Sequence, residues 1–230
     1  MDTSGAASGA RAVADRKPAL RAWLERAVCW RCASTLFRAP TADGLSELRV
    51  LLPMLPDEAR DAVAGVLAVS LDTWEHEFHR VLGPGGLPAC ESSFDRAALA
   101  GRGPLLAAIG GFYQAFAYEP HAREREVPDH IAVELDFLAY LAFKSAFAVD
   151  AQMQEELEVT TEAYDAFLRD HLGFWIEPFL ESLLATDSEP YCAAAAWVQA
   201  TVTRLTLTAL ADRAAPAEHP PRRTMSIRTY

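Results

Sequence analysis

Apolar residues in this chain recur at steps of three and four from Leu20 to the region of Ala211, and no run alternates for the length of a strand. That period puts one side of each segment on a common stripe, as in amphipathic helices. Leu20, Trp23, Leu24, Ala27, Val28, Cys32 and Leu36 form such a stripe after Pro18, a residue favoured in a first helical turn. Pro40 and Gly44 end it. A short helix is expected over 45–52, before Pro53, and a long one over 57–81 with Val63, Leu67, Leu71, Trp74, Phe78 and Val81 in register. The run Gly83-Pro84-Gly85-Gly86-Leu87-Pro88 then forbids helix, and 88–102 reads as loop. Pro104 opens a helix carrying Leu105, Ile109, Phe112 and Phe116. After a polar connection over 119–127, Asp129 is expected to cap a helix over 130–149. Further helices are expected from about Met153 to Leu172, from Trp175 to Leu184, and from Pro190 to about Ala211. Seven to nine helices with short connections make an all-α single bundle. Its expected domain is 18–212, with helices 18–82, a loop 83–103 and helices 104–212. A flexible arm over 1–17 and a basic tail over 213–230 flank it.

Hydrophobic residues make up 51% of the 230 and charged residues 23%, enough apolar mass for a real core and against wholesale disorder. No stretch offers about 20 apolar residues free of charge, so no membrane insertion is expected. The formal net charge is −11, with the acidic excess between 18 and 212. That balance disfavours nucleic acid, which wants a basic stripe, and favours cationic partners. The first ten residues hold no apolar run of a secretory signal, and four cysteines are too few for a disulfide scaffold. A cytoplasmic protein with reduced thiols is expected.

Few segments suggest chemistry. Cys29-Trp30-Arg31-Cys32 is a CxxC, but it lies mid-helix, with no second CxxC to complete a zinc tetrad. Packing is the expected role of Cys29 and Cys32. His76 and His79 stand three apart, one residue short of the spacing that puts two histidines on one zinc. A solvated face explains them; a helical metal or redox protein using His76, His79 and the cysteine pair is the alternative. Gly83–Gly86 lacks the strand before it and the Lys-Ser/Thr after it that a phosphate loop needs. No residues take triad roles, and no cofactor of its own is expected. Asp129 and Glu134, five residues on, form a candidate carboxylate pair for a cationic ligand. The aromatic set from Trp74 to Phe179 reads mostly as core, though a peptide groove would use the same residues. Arg222-Arg223 in the tail reads as solvated, with occupation of a groove as the weaker alternative.

Four segments, taken in order, resemble one family. They are Leu82-Gly83-Pro84-Gly85 followed by Leu87 to Phe94; Gly111-Phe112-Tyr113; Pro128-Asp129-His130-Ile131-Ala132-Val133-Glu134-Leu135-Asp136-Phe137-Leu138; and Phe167-Leu168-x-x-His171-Leu172-x-x-Trp175-x-x-Pro178-Phe179. Together they are similar to the TorD/DmsD/NarJ family of redox-enzyme maturation chaperones over about 20–205. The resemblance implies a helical, cytoplasmic protein without turnover. Such a chaperone binds the immature catalytic subunit of a molybdenum-containing oxidoreductase, in many cases at its twin-arginine signal peptide, until that client receives its molybdopterin guanine dinucleotide. Monomer and helix-exchanged homodimer both occur in the family. Its peptide-binding positions map onto Trp74 and Phe78, Glu91 and Ser92, and Pro128, Asp129 and His130. Cys90 stands where the family usually has a bulky aromatic. Guanidinium groups pair well with carboxylates. Asp129, with Glu134 or Glu91, is therefore expected to meet the leader's arginines, and Trp74 and Phe78 its apolar part.

Overall fold

The computed structural model describes residues 4–95, 101–120 and 127–214, with side chains from 16 to 204 within those ranges. Nine α-helices are present among them: α1 (Ser4–Phe37), α2 (Ala42–Leu51), α3 (Asp57–Ala68), α4 (Leu71–Val81), α5 (Gly103–Ala115), α6 (Ile131–Ala151), α7 (Gln154–Phe167), α8 (Gly173–Leu184) and α9 (Glu189–Ala214). The described residues include no strand, only an isolated antiparallel bridge between Cys90 and His130. The all-α bundle read from the sequence is the fold. No described helix is long and apolar enough to cross a membrane.

The centre is α6. Every residue from Ile131 to Ala139 is buried, so this helix is covered on all sides in its first half. Long α1 packs along it, with Trp30, Cys32, Leu36 and Phe37 inside. Phe137 sits in a ring of aromatics, with Phe167 at 4.8 Å, Tyr113 at 4.8 Å and Tyr118 at 5.1 Å between centroids. Burying such a side chain contributes about 2–3 kcal/mol. Across α1 and α7, Trp30 Nε1 donates to Tyr164 Oη at 2.6 Å, which gives both buried polar atoms a partner.

Several boundaries differ from the pattern reading. Helix α1 begins at Ser4, inside the expected arm, and carries Pro18 within it rather than at its start. The expected single helix over 57–81 is two, because Val69 is extended and the Ser70 hydroxyl accepts from Thr73 N to cap α4. The cap of α6 is His130, not Asp129: His130 Nδ1 accepts from Ala132 N at 3.2 Å. Residues 168–172 form a π turn between α7 and α8. A Cβ on Gly173 would lie 2.4 Å from the Leu168 carbonyl oxygen, so the junction requires glycine. Most of the expected tail, from 215 onward, lies outside the described residues.

Candidate functional site

The segments singled out by their motifs meet at one place, where the 88–95 loop crosses the start of α6. Glu91 N donates to Asp129 O at 2.8 Å and Ile131 N to Ala89 O at 2.8 Å, so loop and helix entry are laced by backbone. The side chains continue the lacing. Ser92 N donates to Asp129 Oδ2 at 3.2 Å, and Arg102 Nη2 to Asp129 Oδ1 at 2.8 Å. Glu91 pairs with His171 Nδ1 at 3.2 Å on the π turn. Trp175 Nε1 on α8 donates to Glu134 Oε2 at 3.1 Å, and Tyr113 Oη donates to Pro128 O at 2.9 Å. Loop, α5, α6, the π turn and α8 are joined by one polar cluster.

The carboxylates of this cluster are closed off, while Arg102, which reaches Asp129 from outside, is 48% exposed. The side chains of Glu91, Asp129 and Glu134 have no exposed surface. Trp74, Phe78 and His130 are buried, Ser92 is half-buried and Pro128 is exposed. The carboxylates expected to clasp arginines from solvent are therefore internal, and the two aromatics expected to touch a peptide are core. The reason is local. Each carboxylate falls beside a partner that sequence alone does not pair with it: Arg102 outside the motifs, or His171 or Trp175 within them. Electrostatics agree. Burial pushes the Asp129 carboxyl up, but hydrogen bonds from Ser92 and Arg102 outweigh it and hold the group below its usual range. Burial, and next the charge of Glu91, push Glu134 well above its usual range, and its Oε1 has no hydrogen-bond partner among the described residues.

An open site lies elsewhere on the same central helix. A groove of ≈ 640 Å³ runs between α1, the end of α2 and α6. Leu24, Val28, Leu51, Met54, Tyr140 and Phe143 supply its apolar wall. Met54 and Phe143 are 56% and 58% exposed, and Phe147, one turn beyond, is 62% exposed. Such adjoining exposed apolar residues mark an interaction surface. At one end Arg31 is held between carboxylates. It bonds Asp136 on α6 and, through Nε at 2.6 Å, Glu47 on α2; Tyr118 Oη donates to Asp136 Oδ2 at 2.8 Å. Glu119 completes an acidic rim. The sequence did signal part of this: Asp136 interrupts the apolar run of α6, and a buried carboxylate needs a partner.

The alternative metal or redox constellation does not assemble. Cys29 and Cys32 are buried in α1, with the Cys29 thiol pushed up to about 12 by burial. His76 and His79 are exposed on α4. Among the described residues no group of three or more His, Cys, Asp or Glu could hold a metal ion.

Comparisons with known proteins bear on the same segments. The family model for the nitrate reductase delta subunit matches residues 47–181. The chain is 34% identical over 124 residues to the selenate reductase assembly chaperone protein of Thauera selenatis, covering 53% of this chain and 63% of that one. It is 34% identical over 88 residues to the chlorate reductase assembly chaperone protein of Ideonella dechloratans, covering 38% and 45%. The match thus spans less than two thirds of either relative. A solved structure of a redox enzyme maturation protein from Archaeoglobus fulgidus shares the fold, with TM-score 0.52 and 19% identity over 78% of this chain and 93% of that chain. With over half its length inside the family model, the protein belongs to the nitrate reductase delta subunit family, the NarJ/TorD-type group that its motifs resemble.

Proposed function

We propose that this protein is a cytoplasmic assembly chaperone for the catalytic subunit of a molybdenum-containing reductase. It acts by stoichiometric binding, without catalytic turnover. The observation that carries the reading is the open apolar groove with a carboxylate rim, on a chain whose curated relatives are reductase assembly chaperones. An apolar segment near the client's N-terminus, such as a twin-arginine leader, lies on Met54, Tyr140 and Phe143. Its arginines face the exposed Glu119 at the acidic rim, where a guanidinium–carboxylate pair forms at little desolvation cost. The closed cluster of Glu91, Asp129, Glu134 and His171 supports the site from within by fixing the path of α6. Holding the immature subunit keeps it open for cofactor insertion.

The test is co-expression of the full chain with the catalytic subunit of a selenate, chlorate or nitrate reductase from the same source. Capture is expected at one chaperone per subunit before molybdenum is loaded, and release after it. Phe143→Asp, which alters an exposed side chain, is expected to weaken capture at least tenfold while leaving the helical content intact. Failure to capture any such subunit, with or without molybdenum, would overturn the reading.

A further inference from the structure

The groove against α6 has a neighbour. A second groove of ≈ 630 Å³ lies along earlier turns of α1, against Pro53, Pro56 and Arg60, and shares Leu24, Val28 and Met54 with the first. The two therefore adjoin across an apolar stretch. From Arg31 back to Lys17 their walls follow about 21 Å of α1, at about 1.5 Å per residue.

The charge on the walls changes sign along this path. The first groove is lined by one cation, Arg31, and two carboxylates, Asp136 and Glu119. Arg31 is already held by Asp136 and by Glu47 behind it, so the exposed Glu119 sets the sign at that end. The second groove is lined by Lys17, Arg21 and Arg60 against Glu25 and Asp57. Arg60 takes Asp57 at 2.9 Å. Lys17, Arg21 and Glu25 follow one another at one-turn steps along α1, two cations to one carboxylate, and both cations are exposed. This end is cationic, on a chain whose net charge is −11.

We propose that the double groove takes a bipolar segment of the client, cationic where it meets Glu119, apolar where it crosses Leu24, Val28 and Met54, and carboxylate-bearing where it meets Lys17 and Arg21. The proposal rests on the chaperone reading for the client and adds two things to it. The bound segment reaches beyond Met54, and it lies in one direction, antiparallel to α1, since its arginines come first. Apolar burial supplies the affinity and the end charges supply the direction. A reversed segment would set arginine beside Lys17 and Arg21, and carboxylate beside Glu119.

Titration of the full chain with three synthetic peptides tests this. The first has two arginines, eight residues of leucine, alanine and serine, and two aspartates, with both ends blocked; eight extended residues reach up to about 26–29 Å, enough for the path. The second has the two charged pairs exchanged, and the third has asparagines for the aspartates. At low salt the first is expected to bind about fivefold more tightly than either of the others. Lys17→Glu/Arg21→Glu, at exposed positions, is expected to abolish that preference with helical content unchanged by circular dichroism. A benzophenone amino acid beside the aspartates is expected to crosslink to fragments containing Lys17–Arg21 or Pro56–Arg60, and one beside the arginines to fragments containing Glu119 or Phe143. Equal affinity for the three peptides, a preference that survives the double change, or crosslinks at the opposite ends would overturn the proposal and leave the chaperone reading standing, because subunit capture tests that separately. Binding of none of the three would overturn it as well.

Discussion

Glu134→Gln changes one atom of a fully buried side chain and tests the closed cluster directly. Glu134 faces Glu91 from the loop and Asp129 at the α6 entry, receives Trp175 Nε1 from α8, and has Oε1 unpartnered among the described residues. Burial first, and the Glu91 charge second, raise its pKa well above the usual value. The sign follows. Above about pH 4.3 the unfolded chain releases this proton while the folded chain keeps it. The stability the protonated form confers is complete below that pH and is lost as pH rises towards the folded value. The loss is about 1.4 kcal/mol per pH unit in that window. Glutamine keeps the shape and cannot ionise, so the variant lacks this slope. Over one pH unit the two curves should part by about 1.4 kcal/mol, or about 3–5 °C in Tm for a chain of this size. The variant should be the more stable at neutral pH and close to the parent near pH 4. Urea unfolding from pH 4 to 8 measures both curves. Parallel curves would refute the argument that Glu134 is held protonated by its surroundings.

Three further outcomes follow from the same geometry. Asp129→Asn should flatten the acid limb only. The lowered pKa of Asp129 contributes stability present above the ordinary carboxylate range and lost as pH falls through the folded value, so the variant should differ from the parent at pH 6 by about 1–3 kcal/mol and converge with it in acid. Gly173→Ala should lower stability by about 1–3 kcal/mol in denaturant titration, because its Cβ would meet the Leu168 backbone oxygen and the π turn would have to shift. Cys29 should resist iodoacetamide at pH 8 in the folded chain while half-buried Cys192 reacts, since burial holds the Cys29 thiol near 12; mass spectrometry of the native and urea-treated protein checks the order.

The bundle was legible because helical period and Pro/Gly breaks are local signals. Ser70 hid the division of α3 from α4: the apolar register of Val63, Trp74 and Phe78 runs on across it, and only a hydroxyl reaching Thr73 N reveals the cap. The same limit applied to the site. Pro128-Asp129-His130 was visible as a helix entry, but which residue caps depends on where Arg102 and Ser92 draw the aspartate. His171 was visible only as a motif letter. Its role appears when the π turn brings it to Glu91, 80 positions earlier in the chain.

Charge and apolarity therefore have to be weighed by exposure, and here the two exchange places. Asp129, Glu134 and Glu91 look in sequence like the means of binding a cation, yet they are internal and spend their hydrogen bonds on fixing the loop, the π turn and α8 around α6. Phe143 and Phe147 follow Phe137 and Tyr140 on α6 and look in sequence like more core, yet they are open. The cause is a change in how α6 is covered. Its first half is wrapped on every side by neighbours, whereas beyond Tyr140 one side, with Leu141, Ala142, Ser145 and Ala146, stays inside while Phe143 and Phe147 stand on the uncovered side. A helix buried on one side presents a rigid apolar ledge on the other, and the cluster at its entry keeps that ledge in register with Glu47 on α2 and with Glu119. On the reading proposed above, binding an apolar, cationic segment there would need no movement of the core, because the polar cluster has already fixed the helix that bears the ledge.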